Sequence, residues 1–285
     1  MTGVSSSGRG GVPGWRRSGV TAVLVVAIAM AWLAAPLLSQ ELGRRLGGIN
    51  GPTPLEPTPD QPAPRLADGT IDLDGVWTGG GSGSFDRLLE PGELDGITMP
   101  WGKELKASRT PGEDPYNYCM PGGPIRITGG FAWRFVTTTN RTHIFQVQEG
   151  NAHTYRQIFM DGRAHPEDPS PTWYGHSVGR WDGDTLVIDT IGLNTKFWLD
   201  PGGTAHTEQL HLVERWTRTN LTTMTREVTI EDPGTFTRPF TVEFTARLGA
   251  PGSDIMEYIC IENNQYGLPG GIDNPARIPS SATEN

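Results

Sequence analysis

The sequence predicts an all-β protein, an antiparallel lipocalin-like barrel or a closely related β-sandwich, preceded by one N-terminal transmembrane or signal helix. Three observations carry this expectation. Short segments alternate apolar and polar residues with a period of two, as half-buried strands do. Gly (38) and Pro (24) are abundant and punctuate those segments. No long stretch beyond the N-terminal region keeps a helical period. Consecutive hairpins in one domain of this size favour a closed barrel or two packed sheets.

Residues 1–19 are rich in Gly, Ser and Arg and read as a disordered cytoplasmic tail. Residues 20–38, VTAVLVVAIAMAWLAAPLL, carry no charge. That length suffices to cross a bilayer. Arg9, Arg16 and Arg17 before it place the N-terminus in the cytoplasm and the bulk of the chain on the far side. A cleaved signal peptide is the alternative. Leu38-Ser39-Gln40 is a poor small-x-small cleavage site, which favours an uncleaved anchor. Residues 39–68 contain GGINGPTPLEPTPDQPAP and read as a Pro-rich, semi-extended tether. The β domain then occupies 69–285, long enough for one good core.

Within that domain, Asp74-Gly75-Val76-Trp77 opens the first strand, and MPWGKELKA at 99–107 is the one short helix expected. Strands are expected at 131–138, 142–149, 154–160, 223–230 and 255–262. GHSVGRWDGDTLVIDTI at 175–191 reads as a hairpin around Asp182-Gly183, since Gly supplies the positive φ of a tight turn. PFTVEFTARL at 239–248 puts Phe240, Val242, Phe244, Ala246 and Leu248 on one face.

GGTAHTEQLHLVERW at 202–216 raises the functional question. As a strand it places His206, Glu208, Leu210, Leu212, Glu214 and Trp216 on the inner face and His211 on the outer. Elsewhere the same period sets Arg156 beside Ile158, Glu149 beside Val147, and Asp189 between Val187 and Ile191, though both faces of those strands hold apolar residues and either face can be the inner one. An unpaired buried charge is too costly to persist. These groups therefore pair with one another, with Arg156 the natural partner of Glu214 or Glu149, or they line a wet cavity. The first case is a buried ion-pair network that sets strand register. The second is a ligand site with convergent polar groups. Eight or more strands can enclose one small ligand. A second cluster, DGRAHPEDPSPTWYGH at 161–176, brings His165, Trp173, Tyr174 and His176 to a Pro-stiffened loop at the barrel mouth, where function concentrates.

Several classes are excluded. A net charge of −9 and a pI near 5.2 argue against a nucleic-acid partner. No metal is expected: the six histidines form neither HExxH nor H-x-H. There is no redox-cofactor motif and none is expected to bind. GGGSGS at 79–84 lacks the Lys-Ser/Thr of a phosphate loop. GHSVG at 175–179 matches G-x-S-x-G formally, but Ser177 lies in a hairpin rather than at a strand-to-helix elbow. Cys119 and Cys260 can form one structural disulfide in an oxidising compartment; the alternative is two buried thiols.

DGTIDLDGVW, MPWGKEL, YCMPGGP, YRQIFMDGRAHPEDPSPTWYGHSVGRWDGDTLVIDTIGLN and LDPGGTAHTEQLHLVERW together resemble a large family of exported bacterial proteins of unassigned activity. The resemblance covers roughly residues 68–265, with the motifs in the same order. It implies a secreted or anchored β-rich domain. It also implies importance for Arg156, the Asp-Gly-Arg-x-His of 161–165, Trp173, His206, Glu208 and Glu214, but supplies no reaction. The anchor with its long tether departs from that family.

The expected function is that of an exported, membrane-tethered protein, periplasmic or secreted, that binds a small, partly apolar or aromatic molecule. Non-redox acid–base chemistry (hydrolysis, elimination or isomerisation) would use His206, Glu208, Glu214 and His165 as catalytic groups. Arg156, Glu149, Trp173, Tyr174, His176, Asp189 and Trp216 would hold the ligand. The alternatives are a non-catalytic carrier or sensor, or a structural envelope protein.

Overall fold

The computed structural model describes residues 52–81, 83–150 and 154–260. The chain divides into units 1–44 and 45–285, and every described residue belongs to the second. The tail, the apolar span 20–38 and the start of the tether lie outside the described residues. Among the described residues no helix is long and apolar enough to cross a membrane.

Among the described residues nine strands close into one barrel in sequence order. They are β1 (Trp77–Gly79), β2 (Trp133–Thr137), β3 (His143–Gln148), β4 (Tyr155–Phe159), β5 (His176–Asp182), β6 (Thr185–Ile191), β7 (His211–Arg218), β8 (Thr223–Glu231) and β9 (Phe240–Leu248). β1 closes the ring through Trp77 opposite both Leu248 and Trp133. The barrel form of the all-β expectation therefore holds. One seam is not antiparallel: β4 and β5 pair in parallel, through Ile158–Ser177 and Phe159–Val178. The loop 160–175 carries the chain back before β5 begins, so a hairpin cannot form there.

The segment between β1 and β2 is largely helical: α1 (Phe85–Leu88), α2 (Glu93–Ile97), α3 (Pro100–Ser108) and α4 (Gly123–Arg126). Only α3 has a sequence signal, with Pro100 at its first turn. The other three are one turn long, too short for a hydrophobic period. Phe85, Leu94, Ile97 and Ile125 pack onto the inward residues Leu212, Val228, Ile230, Val242 and Phe244. The insertion thereby fills one end of the barrel. A second cluster, built on Trp77, Trp133, Phe135, Ile158, Leu186, Trp216 and Met224, fills the other part.

Two strand expectations need correction. Residues 201–210 are not strand, and β7 begins only at His211. Two carboxylates replace the ladder there. Asp200 accepts from the Thr204 and Phe85 amides (2.9 and 2.6 Å), and Asp232 accepts from the Thr207 amide and hydroxyl (both 2.6 Å). Buried backbone donors must be paired, and here side chains from distant segments pair them. Residues 255–260 form no strand either; Cys260 is disulfide-bonded to Cys119, and Tyr258 packs on Phe131. The hairpin turn is Gly183-Asp184, with Gly183 at φ +59. Part of the Pro-rich stretch is docked on the barrel. The Leu55 amide donates to the Leu248 carbonyl (2.7 Å), Thr58 bonds Thr222, and Arg65 pairs with Asp184.

Candidate functional site

Most residues singled out in the sequence fall into two places, and a third, a cavity, is lined by none of them. The first is the barrel interior. Glu214, Arg156 and Arg226 have 0% exposed side chains. Arg156 Nη2 donates to Glu214 Oε1 (2.5 Å) and Thr190 Oγ1 (2.7 Å), and its Nε donates to Ser177 Oγ (3.0 Å). Arg226 donates to Glu214 Oε2 through Nη2 (2.7 Å) and Nε (3.0 Å). Trp216 Nε1 donates to the same oxygen at 3.1 Å. The remaining Arg226 donors reach the carbonyls of Gly80, Pro124 and Ile125 at 2.8–2.9 Å. Burial opposes the Glu214 charge, but the two guanidiniums outweigh it and hold the carboxyl at about 2.

This is the ion-pair alternative rather than the wet cavity. Between two apolar clusters the two guanidiniums and Trp216 saturate the Glu214 oxygens, and Arg226 ties the barrel to the helical insertion. Arg226 escaped the sequence reading, although TMTREVTIE sets it on one face with Met224, Val228 and Ile230. Ser177 is buried in the same network.

His206 is buried between carbonyl oxygens: Nε2 lies 3.1 Å from that of Phe197 and Nδ1 3.1 Å from that of Thr207. Burial pushes its pKa below the ordinary histidine value. Glu208 is exposed, because the segment is a loop and not a strand. The expected His206–Glu208 pair is therefore not brought together. Trp173 is half-buried against Phe197, and Tyr174 is buried with its hydroxyl accepting from Gln148 Nε2 (3.2 Å). Glu149 is buried, its pKa raised by that burial, and its Oε2 has no partner among the described residues.

The second place is the outer wall of the barrel. Strand register sets outward residues in rows across β5–β8. His176, Ile191, His211 and Glu231 form one row, Val178, Asp189 and Val213 the next, and Arg180, Val187 and Arg215 the third. His165, from the loop before β5, reaches onto the first two rows. Its Nε2 lies 3.1 Å from Asp189 Oδ1, and its Nδ1 lies 2.8 Å from His176 Nδ1. His211 Nε2 reaches the same Asp189 oxygen at 2.9 Å, and its Nδ1 faces Glu231 Oε2 at 3.4 Å. His176 stacks on Phe159, and the Arg163 guanidinium lies 3.9 Å from the centre of that ring. Below this array runs a groove of about 270 Å³, lined by Gly162, Arg163, Val178, Gly179, Arg180, Val187, Asp189 and Val213.

The array is electrostatically coupled. The hydrogen bond from His211 holds the Asp189 carboxyl below the usual carboxylate range. That bond also raises the His211 pKa. Partial burial, helped by His165 and Arg163, lowers the His176 pKa. The Asp189–His211 pairing therefore adds stability between two limits. It is lost as pH falls through the depressed Asp189 pKa and as pH rises through the elevated His211 pKa. Asp189→Asn is expected to lower the His211 pKa, read by proton NMR titration of the imidazole resonances. An unchanged His211 titration would remove Asp189 from the array. Histidine pairs held by a carboxylate near neutral pH can give and take protons. Among the described residues no group of His, Cys, Asp or Glu is arranged to hold a metal ion.

His165, His176 and Asp189 were thus legible as candidates, but as neighbours of His211 on the outside of the barrel. The alternation of β7 already placed His211 outward. The cross-strand partners that make it part of a site come only from register.

The third place is a cavity of about 520 Å³ where β2, β3 and β5 end. Ile71, Leu73, Phe135, Ile144, Met160 and Trp181 line it, with Arg134 and Arg141 among its polar residues. Arg134 pairs with Asp74 and Arg141 with Asp68. No family model matches the chain, and no curated protein or solved structure is significantly similar to it.

Proposed function

We propose that the protein is an exported, membrane-tethered acid–base enzyme without a redox cofactor, acting on a small molecule at the outer wall of its barrel. The reaction class is hydrolysis, elimination or isomerisation. One observation carries this reading: Asp189 is clasped by the Nε2 atoms of His165 and His211, beside a groove that contains Asp189 itself. Such an array offers proton donors and acceptors near neutral pH in a place a substrate can reach. The filled barrel acts as its rigid support, which is what precise placement of catalytic groups requires. The disulfide is consistent with an oxidising compartment, and residues 20–38 would supply the anchor.

The test is a turnover screen of the full chain against small esters, lactones and β-elimination substrates, repeated with Asp189→Asn and His165→Gln. Removing a positioned acid or base is expected to cost about 10²–10⁴-fold in rate. Activity that persists undiminished in both variants would sink the reading.

A second reading, a non-catalytic carrier, is favoured by the apolar cavity of about 520 Å³. That volume falls within the range of small-molecule sites. It predicts that 1-anilinonaphthalene-8-sulfonate binds the wild type and that Ile144→Trp, which fills the cavity, abolishes binding. Equal binding by both proteins would count against it.

A further inference from the structure

The array contains three histidines, and hydrogen-bond bookkeeping distinguishes their roles. An ionised carboxylate only accepts hydrogen bonds, so the His165 and His211 nitrogens facing Asp189 must carry protons. Neutral His165 has a single ring proton, which this places on Nε2. Its Nδ1 is therefore an acceptor. Among the described residues the atom bonded to that Nδ1 is His176 Nδ1, 2.8 Å away, which is the donor when His165 is neutral. Neutral His176 has thereby spent its one proton, and its Nε2 carries a bare lone pair. Among the described residues no group bonds that nitrogen.

The groove indicates what approaches this lone pair. Val178 lines the groove and His176 is the next outward position of β5 beyond that lining, while Arg180, also in the lining, stands two outward positions from His176. At about 3.3 Å per strand residue, the two ends are roughly 13 Å apart along the wall, before their side chains close in. Between them lie the apolar side chains of Val178, Val187 and Val213. Arg163 is already held by Asp161, whereas Arg180 is exposed and has no ion-pair or hydrogen-bond partner among the described residues.

We propose that His176 Nε2 is the proton acceptor of this site, with Asp189 and His165 as the positioning residues that set its tautomer, and that the substrate is a small organic anion whose charged end sits at Arg180. This rests on the acid–base reading above. In the step, a proton leaves a substrate O–H, substrate C–H or attacking water for His176 Nε2. The electron pair of the broken bond remains on the oxygen or carbon that lost the proton. The new imidazolium keeps its Nδ1 proton shared with His165 Nδ1, and the Asp189 carboxylate beyond His165 balances its charge. Other charges facing the ring's surroundings are Arg163 from the loop, His143 across Phe159 on β3, His211 on β7 and Glu231 on β8.

The test is carbethoxylation of the full chain by diethyl pyrocarbonate, which attacks unprotonated imidazole nitrogen, with each histidine followed by mass spectrometry. His176 is expected to react about tenfold faster than His165 or His211, whose nitrogens are engaged. Asp189→Asn and His165→Gln should slow it severalfold. Benzoate is the anion probe: it should protect His176 in the wild type, and Arg180→Gln, an exposed change that leaves the fold intact, should remove that protection. Faster modification of His165 or His211 than of His176 overturns the base assignment. Protection that survives in Arg180→Gln overturns the anion assignment. Neither readout needs turnover, so these failures are distinct from an empty substrate screen, which would sink the enzyme reading alone.

Discussion

Glu214→Leu is expected to destabilise the protein by about 3–5 kcal/mol, because it leaves two arginines buried without a counter-charge. Arg156 and Arg226 are fully buried, and both depend on this carboxylate. For a domain of this size the loss corresponds to a fall of roughly 6–20 °C in Tm. The check is a shift in urea midpoint with an unchanged slope. A loss below about 1 kcal/mol would mean that the layer is open to water or rearranges freely. The triple replacement Arg156→Met, Glu214→Leu, Arg226→Met should recover part of the loss, since apolar residues often replace buried ion networks well. Recovery stays incomplete because the carbonyls of Gly80, Pro124 and Ile125 lose the Arg226 donors.

The pH dependence follows from the same pairing. The Glu214 carboxyl titrates at about 2 when folded and at about 4.3 when unfolded. A depressed folded pKa contributes stability that is complete above the unfolded value and is lost as pH falls toward the folded one. The stabilising effect of Glu214 over Gln at this position should therefore shrink below about pH 4. Urea midpoints of wild type and Glu214→Gln measured from pH 6 to pH 3 would read it directly.

The second large effect is expected from the disulfide. Cys119 and Cys260 lie 141 residues apart. Closing a loop of that length restricts the unfolded chain enough to stabilise the fold by about 3–5 kcal/mol in the chain-entropy account. The double variant Cys119→Ala/Cys260→Ala should lose that much in urea unfolding, and reduction of the wild type should lose the same. Were the variant as stable as the oxidised wild type, the cross-link would be irrelevant to folding stability. Cys260 otherwise belongs to a segment with no strand pairing among the described residues, so the bond is the main covalent hold on it.

Much of the barrel was legible because it rests on a local property. In β9, Phe240 to Leu248 alternate strictly, and the strand appears where the period places it. β5 and β6 likewise flank a glycine turn. Legibility ended where non-local groups decide the outcome. The stretch 201–210 has strand-like periodicity, yet Asp200 and Asp232 satisfy its backbone from other segments and hold it as a loop. The one-turn helices of the insertion are too short to show a period. They form because Phe85, Leu94 and Ile125 are buried against β7–β9.

For the site, the sequence by itself determined which chemistry is present. It set Arg156 and Glu214 beside apolar residues, where charge must be paired, and it singled out His165, His176 and Asp189 as candidates. Only the tertiary structure decided which belong together. Register across β6–β7 set His211 beside Asp189 on the outer wall, and the loop before β5 brought His165 to the same carboxylate oxygen. The β7–β8 register brought Arg226 to Glu214, closure of the barrel brought Arg156 to it from β4, and a loop conformation separated His206 from Glu208. The physical reason is that periodicity reports which face a side chain takes. The partner it meets there depends on pairings between residues distant in the chain, and those are set by the packing of the whole barrel.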